Sequence, residues 1–194
     1  LSIVSHQNQV IMDKNDITYF SDNYPRLIKA KCNKAISAAL DELEAHFNIS
    51  EIPLYKFKGE EEYIAARLIV SVGIPSRGTV DGIDIQKTEP ILILFNIKKY
   101  PWSAPQVRMD RRDFPVKNVP HLNIVLPGEP SYLCLHRGEI DDWFDDHSII
   151  DFVNRARGWL EKAAQGKLIG DHDRFEPTRI GIDRWFGISI FNYQ

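Results

Sequence analysis

The sequence predicts an α+β domain in which a helix, an antiparallel strand meander, a long ordered loop and a second helix follow one another along the chain. Three observations carry that prediction. Apolar residues recur at helical spacing in two stretches, near 28–47 and near 149–163. Between them the pattern shifts to short runs rich in Val, Ile, Leu, Tyr and Phe, bounded by glycine and proline. From about 119 to 146 the chain is dense in proline and glycine yet keeps its aromatic and apolar side chains, which is the composition of an ordered loop.

Residues 1–20 mix polar and apolar types without a sustained period, so an extension with at most a short strand is expected there. The first helix should open at Asp22 or Asn23, with Pro25 in its first turn, and end near Asn48. Its apolar face is Ile28, Cys32, Ala35, Ile36, Ala39, Leu40, Leu43 and Phe47, and Lys29, Lys34, Asp41, Glu42 and Glu44 fall mostly on the other side. Strands follow over Ile52 to Phe57, Tyr63 to Val72 and Ile91 to Ile97, and a short one within 106–118 completes a four-stranded antiparallel meander. Pro120, Pro127, Gly128, Pro130 and Gly138 predict irregular backbone up to Asp146. Ser148 then opens the second helix, with Asp151 at the capping-box position, a stripe of Ile149, Phe152, Val153, Ala156, Leu160 and Ala163, and Gly166 as its stop.

With 43% apolar and 26% charged side chains over 194 residues, the chain can bury a sizeable core within one domain. Residues 21–170 are read as that domain, 1–20 as an N-terminal extension and 171–194 as a C-terminal tail or linker. The formal charge is only -3, with Lys and Arg scattered along the chain, which argues against nucleic acid and membrane surfaces as partners. The longest apolar run, Pro90 to Ile97, has the length of a strand and falls far short of the roughly 20 residues that cross a bilayer as a helix. A soluble chain is expected. Two cysteines, Cys32 and Cys134, make no disulfide framework, and no signal-peptide pattern opens the sequence, so the expected setting is a reducing cytoplasm. The start at Leu1 is compatible with a piece of a longer protein.

Chemistry concentrates around Cys134, in the run Tyr132-Leu133-Cys134-Leu135-His136, shortly after His121-Leu122-Asn123. A cysteine between two leucines in a core strand would be an inert buried thiol. Here Pro127-Gly128-Glu129-Pro130 and His136-Arg137-Gly138 break regular structure on either side, and a loop rim is where a thiolate can be both exposed and hydrogen-bonded. Cys32, on the apolar stripe of the first helix, is expected to be packing. Thioester transfer requires a nucleophilic sulfur and a donor for the oxyanion, and Asn123 is the candidate donor or loop brace. His136 is favoured for a direct contribution, whereas His121, following Pro120, reads as a loop-bracing residue. His121, Cys134, His136 and His147 lack the paired spacing of a zinc site, so no metal is expected. The acidic residues Glu139, Asp141, Asp142, Asp145 and Asp146 read as a solvated run ahead of a helix N-terminus, with Trp143 packing that run onto the core.

The order helix, meander, Tyr100-Pro101-x-x-x-Pro105, His121-Leu122-Asn123, Leu133-Cys134-Leu135, Trp143 and helix resembles the ubiquitin-conjugating enzymes, over about residues 21–168. Members of that family carry Tyr-Pro-x-x-Pro-Pro, then His-Pro-Asn, then a cysteine usually written Ile-Cys-Leu, then a tryptophan and a long helix. The resemblance implies a UBC-like fold in which Cys134 accepts a ubiquitin-like C-terminus as a thioester and passes it to an amine. Asn123 then matches the asparagine that supports isopeptide formation and His121 the mainly structural histidine, while Tyr100, Pro101 and Pro105 match the segment shaping the neighbouring face. No cofactor is implied. The implied partners are an adenylating ThiF-like activating enzyme or domain and a ubiquitin-like protein or nucleotidyltransferase bearing the C-terminus. Leu122 replaces the middle proline of the triplet, Pro120 stands ahead of the histidine, and the loop from Asn123 to Cys134 is long. These departures, with Trp159, Leu160, Ala163, Ala164, Gly166, Phe175, Glu176 and Pro177, resemble the divergent bacterial conjugating-enzyme domains of antiphage operons.

Two other functions fit the same residues. A catalytically inactive module of the same fold would bind a partner and leave its thiol unreactive, although such variants typically lack the cysteine. A cysteine hydrolase would need His121 or His136 within hydrogen-bonding reach of the Cys134 sulfur.

Overall fold

A strand that is apolar at every position must be covered on both faces, and Ile91, Leu92, Ile93, Leu94 and Phe95 are all 0% exposed. They form the centre of an antiparallel sheet in the structure, a computed structural model of the chain that describes residues 18–57, 62–80, 82–123, 125–136 and 138–169. The strands are β1 (Arg26–Leu27), β2 (Leu54–Phe57), β3 (Tyr63–Ser71), β4 (Thr88–Asn96), β5 (Gln106–Met109), β6 (Leu122–Asn123) and β7 (Tyr132–Leu133), and the helices are α1 (Lys34–Phe47), α2 (Ile140–Asp145) and α3 (Ile149–Ala164). The spatial order is β1-β2-β3-β4-β5-β7-β6, every pairing antiparallel.

Alternation along β3 and β4 divides the apolar residues between two layers. Ile64, Ala66, Leu68, Ile91, Ile93 and Phe95 pack with Ile36, Leu40 and Leu43 of α1 and Phe152, Val153, Ala156 and Leu160 of α3. On the opposite face Tyr55, Phe57, Tyr63, Ala65, Leu92 and Leu94 form a smaller cluster with Tyr24 against it. The α+β class read from the sequence holds, while among the described residues the sheet has seven strands where four were expected.

The first helix is shorter than its apolar spacing implies. It begins at Lys34 and not at Asp22 or Asn23, because Pro25 and Arg26–Leu27 are taken up by the sheet edge: Arg26 pairs with Tyr55, Leu27 with Leu54, and the Pro25 carbonyl accepts from the Lys56 N–H (2.8 Å). Proline is at home on such an edge, where its missing N–H costs nothing. Cys32 therefore ends a 3-10 turn and is not on the helix stripe; it still packs against the core, and burial pushes its thiol up from the ordinary value. The true cap is Asn33, whose Oδ1 accepts from the Ile36 N–H (2.9 Å) while Nδ2 donates to the Ile97 carbonyl (2.8 Å). That second bond ties the start of α1 to the end of β4.

Charged groups fasten the segment before α1 over the open sheet face. Asp110, fully buried, accepts from both the N–H and the hydroxyl of Ser21 (2.7 Å each) and pairs with Arg67 Nε (3.0 Å), whose guanidinium lies 3.8 Å from the Tyr19 ring centroid. Beside it Arg111, also sealed from solvent, pairs with Glu89 (3.0 Å), Asp113 (3.2 Å) and Asp84 (3.3 Å). Burial pushes both the Asp110 and the Glu89 carboxyls above the usual carboxylate range, against the opposing pull of their hydrogen bonds.

α3 starts as its capping box dictates. Ser148 Oγ accepts from the Asp151 N–H (3.1 Å), and the Asp151 carboxylate accepts from the Ser148 N–H and hydroxyl (3.0 and 2.8 Å), which holds its carboxyl below the usual range. Gly166 follows the helix at φ 67°. Between β7 and α3 the backbone, expected to be irregular throughout, contains α2, and no helix among the described residues is long and apolar enough to cross a membrane. The expectations for residues 1–17 and 171–194 lie outside the described residues.

Replacing Asn33 by Ala removes the cap and the link to β4 together. The expected loss is about 1–2 kcal/mol, read as a lower urea midpoint with the slope of the transition unchanged.

Candidate active-site groove around Cys134

Cys134 is placed by a two-rung strand pair. Leu122 opposes Leu133, Asn123 opposes Tyr132, and the Cys134 N–H extends the ladder by donating to the His121 carbonyl (3.0 Å). Leu133 is 1% exposed within the helix-side core, so alternation turns its neighbours Tyr132 and Cys134 out of that core, where each is half-buried. Asn123 stands diagonal to Cys134 across the pair, a relation that separates side-chain origins by roughly 7–8 Å.

The loop joining the two strands is closed by a type II turn. Pro127 and Gly128 take its central places, Gly128 at φ 86°, and the Glu129 N–H donates to the Leu126 carbonyl (3.0 Å). Glu129 then pairs with Arg108 of β5 (3.5 Å), whose guanidinium lies over the Tyr132 ring (5.3 Å). The long loop is thereby tied back to the sheet.

A groove of about 400 Å³ runs past the sulfur, between the β6–β7 pair and the ends of β3, β4 and β5. Asn123, Cys134 and His136 all line it, together with Tyr63, Asn96, Lys99 and Gln106 on the sheet side and Glu139 and Asp141 at the start of α2. Of the four residues singled out from the sequence, three thus share one groove. His121 is not among the lining residues; it contributes its backbone carbonyl and stands in the left-handed region at φ 59°, which histidine tolerates better than branched residues do.

The Cys134 thiol meets a backbone oxygen of the residue two on: Sγ lies 3.5 Å from the His136 carbonyl, a bond in which the S–H donates. The His136 imidazole faces α3, its Nδ1 2.9 Å from Nη2 of Arg155. Arg155 also donates from Nε to the Leu135 carbonyl (2.7 Å), and its guanidinium lies 4.5 Å from the Trp143 ring centroid. Trp143 stacks on His147 (3.9 Å between centroids) and packs against the main core, as its place after the cysteine leads one to expect.

On the far wall the Tyr100–Pro105 segment is held by the acidic run. Asp141 accepts from the Ala104 N–H (2.7 Å) and from the Ser103 hydroxyl (3.3 Å). Tyr100 is buried edge-on against Phe95 (4.9 Å) and near Phe144 of α2 (6.1 Å), and burial pushes its phenol to about 12. Asp141 is therefore a latch between α2 and the Tyr100–Pro105 segment and not one of a uniformly solvated run. No group of three His, Cys, Asp or Glu side chains placed to hold a metal ion occurs among the described residues.

Sequence reasoning missed Asp141 in this role and Arg155 altogether. Arg155 was detectable in principle as a charged residue bordering the apolar stripe of α3, next to Ala156. The Asp141 latch had no such signal, because it depends on α2.

Residues 36–182 match the family model of prokaryotic E2 family A. The chain belongs to that family. No curated protein and no solved structure matches it. Membership of this E2 family supports a conjugating-type transferase function in general terms, and in this E2-family chain the cysteine of the Leu-Cys-Leu run opens on a groove with polar walls.

The left-handed His121 generates a test. His121→Val should be less stable than His121→Gly by about 1–2 kcal/mol, since a branched side chain resists positive φ whereas glycine does not. Chemical denaturation of the two variants side by side measures the difference.

Proposed function

We propose that the chain is a thioester-forming conjugating enzyme of the UBC-like type, with residues 21–170 as its catalytic domain and Cys134 as the acceptor. The observation that carries this reading is the coincidence of the family match with a half-buried cysteine on a groove of about 400 Å³ with polar residues in its walls. In the loading step the Cys134 thiolate attacks the carbonyl of an activated C-terminus carried as a thioester by an adenylating ThiF-like partner. A carbon–sulfur bond forms to Cys134, and the donor leaves as its thiolate. In the transfer step a lysine amine attacks the new thioester, an amide forms, Cys134 leaves as thiolate, and the amine proton passes to solvent or a nearby carboxylate.

Asn123, diagonal to the sulfur, is the candidate donor to the oxyanion of each tetrahedral intermediate. His121 supports the loop through its backbone. His136 is a weaker candidate for a base than its place in sequence implies, because Nδ1 is engaged by a guanidinium. The C-terminus belongs to a ubiquitin-like protein or a nucleotidyltransferase, and the setting is the bacterial cytoplasm, in antiphage defence.

Incubation with the activating enzyme, ATP and the modifier should add one modifier mass to the protein, removable by thiol and absent from Cys134→Ala. Cys134→Ser should give an adduct that thiol does not remove. An adduct that survives Cys134→Ala, or none on the parent chain, sinks the transferase reading in favour of a binding module.

A further inference from the structure

We infer that Arg155 of α3 is a positioning residue for the thiol-bearing loop, setting the backbone and the imidazole that follow Cys134. The inference deepens the thioester reading and rests on it for its functional arm. Three contacts converge on one guanidinium: Nε donates to the carbonyl of Leu135, the residue next to Cys134; Nη2 meets Nδ1 of His136; and Cζ lies over the Trp143 ring, 4.5 Å from its centroid. The fork of donors reaches two acceptors on consecutive residues, and the indole face orients it. A lysine, with one nitrogen on a thinner stem, cannot hold both acceptors and also cover the ring.

The contact also fixes a proton. Arginine has donors and no acceptor, so Nδ1 of His136 must accept, which leaves the ring hydrogen on Nε2. The Nε2 edge lies over Gly138, where a Cβ would come within 3.1 Å of it. Gly138 thus leaves the space in which the oriented ring fits. So held, His136 donates and does not accept, and its carbonyl stays turned toward the Cys134 sulfur (3.5 Å). Arg155 itself acts through these groups and touches no reacting atom.

The experiment uses Arg155→Met and Arg155→Lys in the full chain with three readouts. The first is the ¹⁵N spectrum of the His136 imidazole, assigned with His136→Gln. The parent should show the single Nε2–H form, and both variants a mixture of tautomers. The second is acylation by a small peptide thioester, read as a reducible mass on Cys134, which should slow at least about tenfold in both variants. The third is alkylation by iodoacetamide, which needs an exposed thiol and no exact loop geometry, and which should stay within about threefold of the parent rate. An unchanged imidazole spectrum overturns the inference, as does acylation of either variant at the parent rate or a parallel fall of acylation and alkylation. If Arg155→Met fails to fold, Arg155→Lys decides. A parent chain that alkylates at Cys134 but accepts no acyl group overturns the thioester reading instead, while the imidazole spectra still decide the role of Arg155.

Discussion

A strand pair of two residues has little hydrogen bonding with which to hold its own register, so the side chain it buries decides how it sits. In β7 that side chain is Leu133, 1% exposed in the core beneath α3. A slip by one residue would carry Cys134 into hydrocarbon and turn Leu133 out of the core. The reactive geometry is in this sense a by-product of hydrophobic burial: Leu133 goes in, so Cys134 comes out, and the N–H of Cys134 finds the His121 carbonyl. Everything else around the sulfur adjusts a position already chosen.

The adjusting contacts come from distant parts of the chain. The Pro127–Gly128 turn and Glu129 draw the preceding loop against Arg108 of β5. Asp141 draws the Tyr100–Pro105 wall toward α2, and Arg155 holds the residues after the thiol from α3. Glu129 does so through an ion pair between side chains, whereas Asp141 and Arg155 reach a backbone amide and a backbone carbonyl. Walls made of loops would otherwise have few fixed points, since loops lack the repeating ladders of helix and sheet.

Legibility in the sequence followed the length of each pattern. β4, with a run of apolar residues, and α3, with an amphipathic stripe and a complete Ser148/Asp151 box, were both readable. The start of α1 was misplaced because Pro25 suits a helix's first turn and a sheet edge equally, and the partner that decides, Tyr55 on β2, is remote in sequence. β6 and β7 are too short for any period to register, and α2 is a six-residue helix inside a proline- and glycine-rich stretch. At the site, Cys134, Asn123 and His136 could be grouped because they are close in sequence and chemically expressive. What could not be read was orientation: that the carbonyl of His136 lies against the sulfur, and that its ring meets a guanidinium nineteen residues on, from α3.

That last contact joins two points of the chain that a ribosome does not deliver together. Synthesis proceeds from the N-terminus, so the β6–β7 pair can form while α3 is still being made. A nascent chain that has emerged only as far as the cysteine carries an exposed thiol with no guanidinium behind it, and the finished groove exists only once α3 has docked.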